Sequence, residues 1–118
     1  MHNFRELKVW SQAMKMAADI YRLTKSFPSD ERLGLVSQIQ RSAVSIPSNI
    51  AEGAGRNTNG EFLQFLGIAK GSLFELETVL TISKDINLIS EVEYLDLLAQ
   101  MEEISKMLTG LKKSIQKS

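Results

Sequence analysis

The side chains best suited to chemistry fall in or beside one stretch, Ser45-Ile46-Pro47-Ser48-Asn49-Ile50-Ala51-Glu52-Gly53-Ala54-Gly55-Arg56. Ser45 and Ser48 carry the hydroxyl of a nucleophile, but a serine attacks only when a neighbouring base takes its proton. The one histidine is His2, remote in sequence from both. Gly53-Ala54-Gly55 offers the small residues of a phosphate-cradling loop. It lacks the spacing and the Lys-Ser/Thr that complete such a loop, and it follows no strand. A di-iron bundle needs Glu-x-x-His pairs, which a single histidine cannot supply. Glu75 with Glu77, and Glu102 with Glu103, are carboxylate pairs that a solvated helix face or an ion pair accounts for. With no cysteine there is no thiolate ligand or thiol nucleophile. The sequence therefore predicts no catalytic residue, no metal site and no cofactor.

What remains is charge and its placement. Lys and Arg number 14, Asp and Glu 14, so the formal net charge is zero. A chain without net charge can attract a phosphate backbone only if its cations are gathered somewhere. Where they gather depends on the elements that carry them.

Apolar spacing predicts four helices. The first runs from about Phe4 to Lys25 and has two apolar seams. One is Leu7, Trp10, Met14, Ala17 and Tyr21; the other is Val9, Ala13, Met16, Ile20 and Leu23. Phe27-Pro28 ends it, and Ser29, Asp30 and Glu31 open the next as cap and first-turn acids do. The second keeps its helical period through Pro47, which predicts a helix kinked there with the bond to the Ala43 carbonyl lost. Gly53, Gly55 and Asn57-Thr58-Asn59-Gly60 end it. The third spans about Glu61 to Ile86, and Asn87 to Ser90 form a connection. The fourth starts at Glu91 and carries a heptad seam from Tyr94 to Ile115. Long helices with short connections make an all-α, antiparallel up-down-up-down bundle, a single domain over residues 1–118.

This topology also sets packing expectations. Folding helices 2 and 3 back about Thr58 sets Arg41 opposite Glu75, Ser45 opposite Gly71 and Asn49 opposite Gly67. Gly67 and Gly71 then form a strip where two backbones approach closely, and Arg41–Glu75 is an embedded structural ion pair. A bundle helix needs only one broad apolar stripe. The second seam of helix 1, with Val9, Met16 and Ile20, is accordingly expected at an oligomer interface.

The same topology puts the start of helix 1, the helix 2–3 turn and the end of helix 4 at one tip. That tip collects His2, Arg5, Lys8, Arg56, Lys112, Lys113 and Lys117 against Glu6, Glu52 and Glu61. Helix N-termini there add free N–H groups. Arg5, Lys8, Arg56, Lys112, Lys113 and Lys117 are the expected nucleic-acid-binding residues. The opposite end holds Asp30, Glu31, Asp85, Glu91 and Glu93 with Lys25, Arg32 and Lys84. No apolar run approaches the roughly 20 residues of a membrane span, and no signal-peptide core is seen, so no membrane partner and a cytoplasmic location are expected.

Four segments carry a family resemblance: Phe4-x-x-Leu7-x-Val9-Trp10, Phe27-Pro28 with Glu31 following, Ser45-Ile46-Pro47-Ser48-Asn49-Ile50-Ala51-Glu52-Gly53, and Ala69-x-Gly71-Ser72-Leu73-x-Glu75-Leu76-Glu77. Together they resemble the four-helix-bundle proteins encoded in intervening sequences of bacterial 23S rRNA genes. The resemblance spans nearly the whole chain. It implies a homopentameric ring, and it links the chain to the accessory variability protein of diversity-generating retroelements. RNA or DNA, and a reverse transcriptase or other protein, are the partners so implied. One departure is Gln40-Arg41, where the family commonly has two adjacent basic residues; a basic strip on helix 2 is weaker here, while Arg41 and its pairing role carry over. A structural adaptor with no nucleic-acid role is the competing reading.

Overall fold

The computed structural model describes residues 2–117. Four α-helices succeed one another: α1 Lys8–Thr24, α2 Ser37–Ala54, α3 Asn59–Asp85 and α4 Glu91–Gln116. They pack in the cyclic order α1, α2, α3, α4, with α1 also against α4, which is the up-down bundle the periodicity predicts. No strand occurs among the described residues. None of the helices is long and apolar enough to cross a membrane.

Local chemistry sets the helix ends. Thr58 caps α3 by accepting from Glu61 N–H at 3.1 Å. Ser90 and Glu93 form a reciprocal capping box at the start of α4. After α3, Asn87 takes a left-handed φ of 65°, which lets Leu88 N–H reach the Ser83 carbonyl at 2.8 Å. The α1–α2 joint is less simple. A 3-10 turn, Ser29–Glu31, runs into a π-turn, Arg32–Val36, before α2 begins. Helix 1 likewise begins later than its period suggests, because a 3-10 turn at Phe4–Glu6 precedes it. Through Pro47 α2 stays helical, with the proline ring buried toward α1.

The core reverses one expectation. Val9, Met16 and Ile20 are buried inside the protomer, so they cannot form an oligomer interface. The other seam is only partly covered: Met14 and Tyr21 are exposed and Leu7 and Trp10 half-buried, while Ala17 is buried. Side-chain chemistry explains the choice. The purely apolar Val9, Ala13, Met16 and Ile20 fill the interior without polar atoms, whereas Trp10 and Tyr21 keep a polar tip near water.

The α2–α3 seam holds two further corrections. Arg41 and Glu75 do meet, but at 3.9 Å and with side chains 69% and 52% exposed, so the pair is a surface one. The Glu75 carboxylate takes its short hydrogen bond, 2.7 Å, from the buried Ser42 hydroxyl instead. Nor do Gly67 and Gly71 mark a close approach, since a Cβ added at either meets nothing within 4 Å. Ser45 pairs with the Ser72 hydroxyl at 2.8 Å, one residue from the expected register. The tight contact is at Gly53, where an added Cβ would lie 2.7 Å from Phe65 Cβ.

Candidate nucleic-acid interface

The first residues close the tip. His2 N–H donates to the Ala54 carbonyl at 2.7 Å, and the His2 ring packs 5.0 Å from Phe62. Asn3 caps the following turn by accepting from Arg5 N–H at 3.2 Å. The start of the chain is thereby tied to the α2–α3 turn, and the end of α4 lies beside the start of α1, where Leu7 and Lys8 border a groove with Met107 and Leu111.

The six predicted cations share this end without forming one compact patch. Arg5 lies over the Phe4 ring at 4.5 Å. Lys8 borders the α1–α4 groove. Arg56 stacks on Phe65 at 4.7 Å and bonds Glu52 at 2.9 Å, so it is the best oriented of the six and also the most neutralised. Lys112 lines an α3–α4 groove together with Lys70. Lys113 and Lys117 are exposed near the end of α4. Among the described residues, no ion pair involves Arg5, Lys8, Lys112, Lys113 or Lys117.

Two of the local acids are already engaged. Glu52 holds Arg56, and Glu61 accepts from the Thr58 hydroxyl at 3.0 Å within the α3 cap. The tip therefore presents ammonium groups that make no ion pair among the described residues, an arrangement that suits phosphate oxygens.

Lys70 joins this set unforeseen. Its ammonium group is held by the Thr109 hydroxyl at 2.9 Å, in the groove shared with Lys112. Helical phase places Lys70 on the same side of α3 as Leu63 and Leu66, which is the signal that could have found it. Further down the bundle charge is arranged differently. Asp19 bonds Lys15 at 3.0 Å and Arg22 at 2.9 Å, and it accepts from Gln100 at 3.3 Å. Burial raises the Asp19 carboxyl pKa; the Lys15 and Gln100 hydrogen bonds and the two cations outweigh it and hold it below the ordinary value.

Two apolar surfaces are left open. One is a groove between α1 and α2 lined by Trp10, Met14, Tyr21, Val44 and Pro47. The other is the outer face of α3, where Ile68, Phe74 and Ile82 are exposed beside Gly67 and Gly71.

The described residues thus form an all-α bundle with cations gathered toward one tip, and no group of three or more His, Asp or Glu among them is placed to hold a metal. The family model described as 23S rRNA-intervening sequence protein matches residues 5–110, and the chain belongs to that family. Among solved structures, a protein of unknown function of the S23 ribosomal protein family from Bacteroides thetaiotaomicron is similar, with a TM-score of 0.81 and 28% identity over 89% of this chain and 98% of that one. No match was found among curated proteins.

Proposed function

We propose that the protein is a non-catalytic homo-oligomer of pentameric-ring type that holds RNA or DNA at its basic tip, working in the cytoplasm with rRNA intervening sequences or retroelement-like templates. The observation that carries the reading is the set of lysines at the tip, Lys8, Lys112 and Lys113, which have no acidic partner among the described residues. Ammonium groups on flexible stems follow a phosphate backbone without reading bases. One tip offers a small footprint. A ring would set several side by side and enlarge it.

The open apolar surfaces support self-association. The α1–α2 groove and the α3 face are different patches on one protomer. Contact between unlike patches is head-to-tail, and it closes into a ring when the rotation permits. Met14→Glu on one surface and Phe74→Glu on the other should each convert the oligomer to folded monomer, measured by light scattering. A parent that is monomeric at micromolar concentration overturns this part.

Nucleic-acid binding is tested by titrating structured RNA at several salt concentrations. Each phosphate contact contributes about 0.7–0.9 to the log–log salt slope. Replacing Arg56, Lys112 and Lys113 with alanine should flatten that slope and weaken all RNA sequences alike, with the oligomer intact. Unchanged affinity in the triple variant, or none in the parent at low salt, favours the adaptor reading. The exposed Ile68 and Phe74 are the observation on that side, because an apolar face of this kind also suits a protein partner such as a reverse transcriptase.

A further inference from the structure

One concavity of the molecule lies away from the basic tip. It lies at the opposite end, in the joint between α1 and α2, with a volume of about 810 Å³. Three cations border it, each from a different element: Lys25 follows the last turn of α1, Arg32 opens the π-turn, and Arg41 sits one turn into α2. No carboxylate is among its lining residues. Ser29, Ser37 and Gln40 add hydroxyl and amide groups, while Tyr21, Leu33 and Val36 supply apolar and aromatic surface.

We propose that this cleft binds a nucleoside phosphate, either as a free nucleotide or as the phosphorylated end of an RNA. Charge is the first argument. Lys25 and Arg32 take part in no ion pair among the described residues, and Arg41 has only the long, exposed contact to Glu75. Three like charges around one concavity repel each other unless an anion joins them. Of the acids of this end, Asp85 and Glu91 lie against Lys84, at 3.8 Å and 3.9 Å, and Glu93 is held in the α4 capping box, while Asp30 and Glu31 adjoin the cleft without lining it. The carbonyls that end α1 are covered as well, since Arg22, Leu23 and Thr24 accept from the N–H groups of Lys25, Ser26 and Phe27.

Shape and polarity supply the second argument. Clefts for small ligands enclose about 300–1,000 Å³ and combine an apolar wall with a few convergent polar groups. An inorganic phosphate leaves most of this space and all of the apolar wall unused. A nucleotide matches both parts, with its phosphates among Lys25, Arg32 and Arg41 and its base against Tyr21 and Leu33. Leu33 is 91% exposed, too open for a structural role and well placed to cover a bound base. Thr24 and Gln40 firm up the floor, with Gln40 donating to the Thr24 hydroxyl at 3.1 Å. The π-turn belongs to the same picture, because wide turns of this kind occur often at binding sites.

The test is a calorimetric titration of the full chain at physiological salt with ATP, inorganic phosphate, and one single-stranded oligoribonucleotide bearing either a 5′-phosphate or a 5′-hydroxyl. ATP should bind with a Kd below about 1 mM, the weak end of specific binding. Replacing Arg32 and Arg41 together with alanine should weaken it at least tenfold. Leu33→Asp, at a side chain with almost no packing to lose, should weaken it comparably. Changing Lys112 and Lys113 to alanine should leave ATP affinity unaltered, which separates this cleft from the basic tip. A 5′-phosphate oligonucleotide that binds more tightly than both ATP and its 5′-hydroxyl twin assigns the cleft to RNA ends; otherwise a free nucleotide is the ligand. The proposal is overturned if neither ATP nor the 5′-phosphate oligonucleotide outbinds its control (inorganic phosphate and the 5′-hydroxyl twin, respectively), or if binding survives both cleft variants.

Discussion

At the tip, Lys8 and Lys112 border separate grooves, Lys113 is exposed and Arg56 is drawn down onto Phe65; at the other end Lys25, Arg32 and Arg41 border one hollow. Both ends hold cations, but the first spreads them and the second gathers them. Spread cations suit an extended polyanion. Cations gathered round one hollow suit a compact one that can be enclosed. A tally of charges by end would rank the second as acidic because of Asp30, Glu31, Asp85, Glu91 and Glu93. A ligand meets the local lining instead, and none of those acids lines the hollow.

The comparison can be broken first at the core beneath each end. Ile20 is fully buried in α1, one turn before the cleft. Ile20→Ala should cost about 2–5 kcal/mol in chemical denaturation. The exposed Met14→Ala should leave protomer stability nearly unchanged and act on assembly alone. Equal costs for the two would return the Val9–Ile20 seam to the surface.

The glycines give a smaller contrast of opposite signs. Gly53 pins the tip, and an added Cβ there strikes Phe65 Cβ and also lies 3.3 Å from the Phe62 carbonyl. Gly53→Ala should destabilise by about 1–3 kcal/mol. Gly71→Ala adds its methyl to open space and should stabilise the folded protomer by roughly 0.5–1 kcal/mol, read from the melting transition. If the chain self-associates as proposed and Gly71→Ala disperses the assembly, the α3 face is the contact between copies.

Arg41 and Glu75 should matter less. A buried pair broken on one side would cost on the order of 3 kcal/mol, but an exposed contact at 3.9 Å is worth about 0–1 kcal/mol. A double-mutant cycle with Arg41→Ala and Glu75→Ala measures it.

Smallest of all is the pH effect at Asp19. Its folded pKa is depressed, so its contribution is present above the unfolded value and is lost as pH falls through the folded one. With the side chain 32% exposed, solvent screening holds the effect to a few tenths of a kcal/mol. Asp19→Asn should melt slightly below the parent at neutral pH, and the gap should close in acid below the ordinary aspartate range.

Much of the bundle is legible in apolar spacing. The period that continues through Pro47 marks a helix, and the heptad from Tyr94 to Ile115 gives α4 almost to its ends. The register that sets Arg41 beside Glu75 comes from the turn at Thr58. Other features depend on interactions that spacing does not encode. Both seams of helix 1 are apolar, so only the shape of the interior selects Val9, Met16 and Ile20 over Trp10, Met14 and Tyr21. Gly53 looks like a helix terminator in sequence, and its close approach to α3 depends on where Phe62 and Phe65 lie. At the candidate tip, helix direction alone groups the cations, but their spread over separate grooves requires side-chain placement. The cleft was hidden by the π-turn, because a hydrophobic pattern read at one fixed period has no way to register a change of pitch.

That turn, Arg32–Val36, acts as a phase shifter. Each residue of an α-helix advances the surface by about 100°, so the extra residue held in a π-turn rotates the chain before it by roughly that angle against the helix after it. Arg32 and Leu33 thus share a wall with Gln40 and Arg41 through an offset in winding that neither pair encodes. Removing Gly34 would restore a single frame and swing the first pair to another side of the bundle. One backbone deletion, with every lining side chain retained, would then dismantle the hollow, so a length change of a single residue here is a change of surface.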